Sequence, residues 1–362
     1  VTGSLRPAAL LAAAWLAGCG PPAGDASGTG VAEPVSRPYQ FTAFAAPVRI
    51  EVVGADEVRA ETAIATIEAF LARTGRDWYA YGDGELGQAN AVLAAAGSVD
   101  LSPDLAAVVA RALAIAAASG GRFDPTVGNL VNLWGFDREE RLAATAAPPS
   151  ADRLAEVRAA SGGLADLTLD GRRLTARRPL RVDLGGIAKG SALERIRTEL
   201  LGAGIEDALV DLGGSSMLAL GQRGPRPWRI GLRHPRLDSV FAGLTLESGE
   251  SMATSGDYER YFQADGRRYA HVIDPRTGQP ASGAVSVTVV STDPELADGA
   301  ATALLVGGPG EFNLLVDQLG LAMALLISAD GQVLMTPAMA ERLRTSNGGR
   351  VPVLDWPALP GA

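Results

Sequence analysis

Apolar and polar positions change period several times along the chain, and each change marks an element. Pro47–Gly54, "PVRIEVVG", alternates and predicts a strand. From Asp56 to Arg73, Ile64, Ile67, Phe70 and Leu71 recur with the period of about 3.6 residues that marks a helix. Asp77–Asn90 is rich in aromatics and glycine and reads as a loop. Ser102 caps a further helix, with Pro103 in its first position, Leu105, Val108, Val109 and Leu113 on one face, and Gly120–Gly121 ending it. Ala143–Arg153 reads as a surface loop before a short helix. Strands around Leu167 and Leu174 flank an Asp170-Gly171 turn. Leu180–Gly186 predicts a strand running into two glycines, then a helix to Leu201 that turns Ala192, Leu193, Ile196 and Leu200 inward. Asp207–Gly214 repeats the strand-to-glycine pattern. "PWRIGLRHP" and Ala284–Ser291 predict strands. Asp293-Pro294-Glu295 opens a helix to Gly307, and a helix over Phe312–Leu319 and a hairpin across Asp330–Gly331 follow. Strands and helices mix without a strict βαβ rhythm. The expected class is therefore α+β, one compact unit of layered mixed sheet and helices.

Composition narrows the chemistry. With 362 residues and 47% apolar content, the chain can bury a sizeable core. A net charge of −9 argues against nucleic acid as a partner, because phosphate neutralisation needs a basic surface. Two histidines and one cysteine leave little material for zinc, iron–sulfur or thiol chemistry, so a metal here is expected to take oxygen ligands, as Mg²⁺ or Ca²⁺ does. No G-x-G-x-x-G follows a strand and no P-loop is present, which disfavours a Rossmann or kinase-like nucleotide site. The start of the chain carries Arg6 and then "AALLAAAWLAGC", an apolar run too short for a permanent span. "LAGC" (Leu16–Cys19) resembles a bacterial lipobox; the plainer alternative is a secretory signal cut nearby and a stray cysteine. The expected organisation is a lipoprotein signal peptide over 1–18, lipidation of Cys19, a Gly/Pro/Ser-rich tether over 19–38 and a folded domain over 39–362. The protein would then sit at the periplasmic face of a bacterial membrane, held there by its lipid.

Three stretches can carry chemistry. In "DLGGIAKG" (Asp183–Gly190), glycines let another group approach the backbone just before a helix N-terminus, which attracts anions. Lys189 adds a positive charge in that first turn, where an anion would compensate it; a tight turn with a solvated lysine is the bland alternative. Asp298 and Thr302 stand four residues apart on one helix face, among Ala297, Gly299, Ala300 and Ala301. Carboxylate and hydroxyl suit Mg²⁺ shared with a phosphate; alternatively Asp298 is a first-turn acid and Thr302 bonds back to its own helix. The third stretch, Met252–Pro280, offers Thr254, Ser255, Asp257, Tyr258, His271, Asp274, Arg276 and Thr277. Part of it must be a hairpin with an "ADG" turn and a "DPRTG" turn.

Taken in order, "FDPTVGNLVNLWGF", "RVDLGGIAKG", "LVDLGGSSMLALG", "MATSGDYERYF", "RYAHVIDPRTGQP" and "LADGAATALLVGG" resemble the ApbE family of FAD:protein FMN transferases, over roughly Phe44 to Gly308. The resemblance implies an ApbE-like, T-fold-like domain. It also implies a reaction in which FAD binds with Mg²⁺, its pyrophosphate is split, FMN passes to a threonine hydroxyl of an exported acceptor protein, and AMP leaves. By the same resemblance Asp183 and Lys189 contact FAD, and Asp124, Pro125 and Thr126 belong to a flavin-site segment. Asp298, Thr302 and a carbonyl near Gly186 would hold Mg²⁺. His271 falls on a histidine beside the substrate that either accepts the threonine proton or orients groups, and Asp257 is a second candidate for that proton. Two departures stand out. The family pattern near "StYxxxSELxxxN" appears here as "DWYAYGDGELGQAN", which leaves Tyr81, Tyr79 or Trp78 to stack on flavin, Tyr81 being preferred. The usual Met-Gly-Thr is Phe44-Ala45-Ala46. The competing functions are an FAD pyrophosphatase with the same site and an exported flavin-binding lipoprotein without chemistry.

Overall fold

A computed structural model of the protein describes residues 34–137 and 147–345. In chain order its strands are β1 Ser36–Ala43, β2 Ala46–Val53, β3 Ser98–Asp100, β4 Leu167–Asp170, β5 Arg173–Ala176, β6 Asp207–Leu212, β7 Ser216–Leu220, β8 Trp228–Arg233, β9 Val240–Leu246, β10 Ser251–Gly256, β11 Tyr261–Ala264, β12 Arg267–Ala270, β13 Ala284–Ser291, β14 Met323–Ser328 and β15 Val333–Met335. Eight of them form one antiparallel sheet in the order β1-β2-β6-β7-β10-β13-β14-β15.

The period-2 alternation of that sheet feeds two cores. On one face Val210, Leu218, Leu220, Val287 and Leu326 pack against the helices Glu57–Asp77, Pro103–Ala118, Ala188–Gly202 and Pro294–Gly307. On the other, Leu209, Met217, Ala219, Val290 and Leu325 meet the β8–β9 hairpin (through Trp228, Ile230, Leu232 and Leu244) and the helix Pro337–Arg342 (through Met339). Covered on both faces, β13 is buried at every residue but the last, its Val287, Val289 and Val290 filling the two cores. A third cluster joins Leu130, Trp134, Phe136 and Leu154 to Phe262 and Tyr269 of the β11–β12 hairpin, with the Phe262 and Tyr269 rings stacked at 5.0 Å. The α+β expectation agrees with this architecture.

Helix starts fall where their caps require. The Asp56, Ser102 and Asp293 side chains each accept an N–H from the first turn, and Pro103 and Pro294 open their helices. Other boundaries differ from expectation. The first described strand already runs from Ser36, three residues ahead of Tyr39, and β1 pairs along its whole length with β2. The expected loop at Asp77–Asn90 contains the start of a helix, Glu85–Leu93, whose buried Leu86, Ala89, Asn90 and Leu93 have helical spacing beneath a glycine-rich surface. Part of the Ala143–Arg153 loop lies outside the described residues, and the helix Ala151–Ala160 begins within it.

Leu180–Gly186 forms no ladder strand: Arg181 makes an isolated bridge to Val127, and Gly185–Gly186 lie in a turn. The Asn90 amide takes the place of a neighbouring strand, accepting from Val182 N at 2.7 Å and donating to Val182 O at 2.8 Å. Asp183 N donates to Pro125 O at 2.7 Å and Gly128 N to Arg181 O at 3.2 Å, so the 124–128 segment runs alongside.

The β1–β2 hairpin closes through Phe44 and Ala45, both with positive φ (52° and 55°), the geometry that a two-residue turn of this hand demands and that glycine or asparagine usually fills. A left-handed alanine costs about 1–2 kcal/mol, partly offset by the extra entropy a glycine loses, about 0.5–1 kcal/mol. Ala45→Gly should therefore raise stability by roughly 0.5–1 kcal/mol, read as a higher urea midpoint at unchanged slope. A lower midpoint would show that the Ala45 methyl contributes packing that outweighs the strain.

Candidate functional site

Two helix N-termini meet at one end of the large sheet. Gly190, in the first turn of Ala188–Gly202, lies so close to the start of Pro294–Gly307 that a Cβ on it would stand 2.4 Å from Pro294 O. With no side chain in the way, Gly190 N donates to Asp298 Oδ2 at 2.9 Å. Asp298 is 6% exposed. Burial pushes its carboxyl upward, against the Lys189 charge and the backbone N–H groups of Gly190 and Lys189. The same crossing is braced from outside: Ser191 Oγ donates to Glu295 Oε1 at 2.7 Å, and Arg111 bridges Asp293 and Glu295. Gly299 in turn approaches Ile115, where a Cβ would meet Cγ2 at 2.9 Å.

Thr302, one turn beyond Asp298, bonds to Ser255 Oγ at 3.3 Å and back to Asp298 O at 3.4 Å. Gly186 lies against it, since a Cβ there would be 3.0 Å from Thr302 Oγ1 and 3.1 Å from Phe123. Gly186, Asp298 and Thr302 are thus brought together, with Ser255 beside them. Thr254 faces away and pairs with Thr288 across β10 and β13 at 2.9 Å.

The two Asp-Leu-Gly-Gly turns face this cluster. In the first, Asp183 Oδ1 accepts from Gly185 N at 2.7 Å; in the second, Asp211 Oδ1 accepts from Gly214 N at 2.6 Å. Gly213 and Gly214 both have positive φ, and a Cβ on Gly214 would meet nothing. Lys189 Nζ donates to Ser215 Oγ in that second turn. The Lys189 charge acts on Asp298, Asp211, Glu259 and His271, which puts the ammonium centrally among them.

Asp183 carries the flank toward Tyr81, whose Oη donates to Asp183 Oδ2 at 2.6 Å. Burial first, and then the Asp183 charge, push the phenol well above its ordinary value, so it remains a donor. The Arg181 guanidinium lies 5.4 Å over its ring and Tyr79 packs edge-on at 5.7 Å. Trp78 is buried against Phe44 and Phe70 in the core, which removes it as a stacking surface. Asp124 closes a turn of its own, accepting from Thr126 N at 2.7 Å and Thr126 Oγ1 at 2.6 Å, with Pro125 O tied to Asp183.

His271 follows β12. Its backbone N donates to Arg260 O at 3.0 Å, and its ring Nδ1 lies 3.2 Å from the same carbonyl. A carbonyl only accepts, so Nδ1 carries the proton and Nε2 the lone pair. Burial, then Arg260 and Lys189, lower the imidazole to about 4. Asp257, the second candidate for that proton, is engaged at both oxygens by Arg236 N–H groups at 2.6 Å, with Arg268 at 3.5 Å.

Among the described residues no group of three or more His, Cys, Asp and Glu side chains could hold a metal. The Gly186–Asp298–Thr302 cradle is of another kind, a single carboxylate with a hydroxyl and a backbone. Such hard oxygen donors fit Mg²⁺, which takes few protein ligands and completes its shell with water and phosphate. Ser255 stood among the residues the third stretch offered, whereas Ser215 and Asp211 were not named as site residues and the part of Gly190 in reaching Asp298 was not foreseen. The repeated Asp-Leu-Gly-Gly was the one signal that could have found Asp211 and Ser215.

Residues 44–326 match the sequence model of the ApbE family. An FAD:protein FMN transferase of Rhodobacter capsulatus is 38% identical over 88% of this chain and 61% of its own length. One of Vibrio cholerae is 41% identical over 56% of this chain and 60% of its own. The chain thus spans about three fifths of these two relatives. The crystal structure of the ApbE protein of Thermotoga maritima superposes with a TM-score of 0.76 at 31% identity, over 84% of this chain and 97% of that one.

The His271 environment has a measurable consequence. Its folded value of about 4 lies below the unfolded value near 6.5, so the unfolded chain binds the extra proton. Stability is full above pH ~6.5 and falls as pH drops toward ~4, by about 2 kcal/mol once the ring's partial exposure is allowed for. His271→Gln should flatten that part of the urea-midpoint profile. An unchanged slope in the variant would place the proton uptake elsewhere.

Proposed function

Because the chain belongs to the ApbE family, we propose that it transfers FMN from FAD to a threonine hydroxyl of an exported acceptor protein and releases AMP. The observation that carries this proposal is the convergence on Lys189 of the Gly186–Asp298–Thr302 oxygens, the Gly213–Gly214 turn and the His271 imidazole. Lys189 and the N–H groups at the start of its helix receive the diphosphate of FAD, since both present positive charge to an anion. Tyr81, Asp183 and the Asp124–Pro125–Thr126 turn line the side assigned to the flavin. Asp298, Thr302 and the Gly186 backbone would hold Mg²⁺, which when bound neutralises phosphate charge.

His271 Nε2 takes the acceptor's hydroxyl proton. The freed oxygen bonds to the FMN phosphorus, the bond from that phosphorus to the bridging oxygen breaks, and AMP leaves with the electron pair. Lys189 faces the charge that builds on the phosphoryl oxygens and the leaving phosphate. The imidazole's low proton affinity is partly the work of Lys189 and Arg260; a bound diphosphate offsets those cations and raises it toward the range a general base needs. We extend the proposal to a lipid anchor at Cys19, supported by the Leu16–Cys19 motif. Cys19 lies outside the described residues, and no helix among those residues is long and apolar enough to cross a membrane.

Incubating the protein with FAD, Mg²⁺ and a threonine-bearing fragment of a co-exported protein should add the mass of the FMN moiety to the fragment. Free FMN beside an unmodified fragment would identify a pyrophosphatase, and intact FAD a carrier. Lys189→Ala should weaken FAD binding by tenfold or more, about 1.4 kcal/mol; unchanged affinity by titration calorimetry would remove the lysine from the diphosphate. Millimolar Mg²⁺ should raise the melting temperature of the wild type and not of Asp298→Asn, because only the native cradle binds it. Equal shifts in both proteins would move the metal elsewhere.

A further inference from the structure

Two histidines in 362 residues stand at the two ends of one chain of contacts. His234 sits where β8 leaves for the loop to β9. Its Nδ1 accepts two backbone N–H groups, from Arg236 at 3.1 Å and Leu237 at 3.0 Å, so this ring carries its proton on Nε2. The ring is buried, with Phe241 edge-on at 6.3 Å. The bend it fixes delivers Arg236 to Asp257 in a two-pronged ion pair at 2.6 Å, with side chains only 6% and 15% exposed. Asp257 begins the turn between β10 and β11. That turn ends in Arg260, whose carbonyl accepts both the backbone N–H of His271 and its ring Nδ1–H.

We propose that His234, Arg236 and Asp257 are positioning residues: they hold the 257–260 turn so that the Arg260 carbonyl keeps His271 protonated on Nδ1 with Nε2 toward the acceptor hydroxyl. This rests on the assignment of His271 as proton acceptor. Residues 257–260 lie outside the sheet ladders. Side chains and single backbone bonds hold them: Asp257 N to Val285 O at 3.1 Å, Arg260 Nη2 to Phe136 O at 2.7 Å, Tyr258 Oη to Ser286 Oγ at 3.3 Å, and Asp257 to the Arg236 fork and, at 3.5 Å, to Arg268. A buried ion pair is a poor source of stability, since desolvation consumes most of the Coulombic gain; its use is to fix one geometry. Arginine suits that use because its planar fork matches a carboxylate in a single orientation. The pair also connects the layer behind the sheet to the site in front, because Arg236 belongs to the hairpin that packs on the far face. The charged groups around the relay are Arg268 beside Asp257, and Arg260 and Lys189 toward His271.

With only two histidines, ¹⁵N-histidine labelling reads both rings without crowding. The wild type should show one ring protonated on Nδ1 and one on Nε2, His234→Asn removing the second. Arg236→Gln, and independently Asp257→Asn, should turn His271 into a tautomer mixture. Each should also lower kcat for FMN transfer to the same fragment by about tenfold or more, with KM for FAD changed less than about twofold. His234→Ala should show the same loss, and His234→Asn, whose side-chain oxygen can accept the two N–H groups, should restore the rate. A wild-type His271 protonated on Nε2 would overturn the proposal, as would Arg236→Gln and Asp257→Asn with unaltered rate and tautomer. If Arg236→Gln does not fold, the near-isosteric Asp257→Asn and the wild-type spectrum decide. The two levels separate cleanly. Full transfer by His271→Gln sinks the proton-acceptor assignment itself. An inactive His271→Gln beside a fully active Arg236→Gln sinks the positioning role alone.

Discussion

At Gly190 two helices touch without a side chain between them, and that contact governs the site. It lets a backbone N–H of one helix reach the buried carboxylate of the other. A carboxylate that far from water is costly unless hydrogen bonds and positive charge surround it. Here they come from a helix N-terminus and from Lys189. The arrangement gathers a carboxylate and an ammonium, with hydroxyls from Thr302, Ser255 and Ser215 around them. Such a place can take a metal ion and a phosphate together, since each satisfies what the other leaves exposed.

The rest of the molecule keeps that contact still. The long antiparallel sheet is covered on both faces, so β10 and β13, which carry Ser255 and the Tyr258 partner Ser286, cannot slide without moving every apolar residue to the wrong side. Arg111 bridges Asp293 and Glu295 at the mouth of the Asp298 helix, and Ile115 fills the notch at Gly299. Of the groups that burden stability, the buried Asp298 sits inside a helix, and the desolvated His271 lies just past the end of β12, held by Arg260 O. The glycine turns Gly185–Gly186 and Gly213–Gly214 flank the Gly190 contact.

Histidine is used sparingly. One ring accepts at Nδ1 and shapes a loop; the other donates at Nδ1 and keeps its lone pair on Nε2. The opposite tautomers follow from what each ring faces, two amide N–H groups in one case and a carbonyl in the other. Between them an arginine and an aspartate carry position, not protons, from one face of the sheet to the other.

Local chemistry was legible in the residues themselves. The Ser102-Pro103 and Asp293-Pro294 starts, the shared face of Asp298 and Thr302, and the glycine hinge before Lys189 all depend on neighbours within one or two helical turns. Only the tertiary structure decided the remainder. Leu180–Gly186 has a strand's pattern, yet the amide of Asn90, 92 residues from Val182, makes the bonds a strand would make. Asp257 is a reasonable base by composition, yet Arg236 reaches it across 21 residues and engages both oxygens. Ser215 and Ser255 enter the site through partners 26 and 47 residues away. Periodicity and capping report the chain's own short-range geometry; which distant side chain completes a hydrogen bond depends on how the layers stack, and no local pattern encodes that.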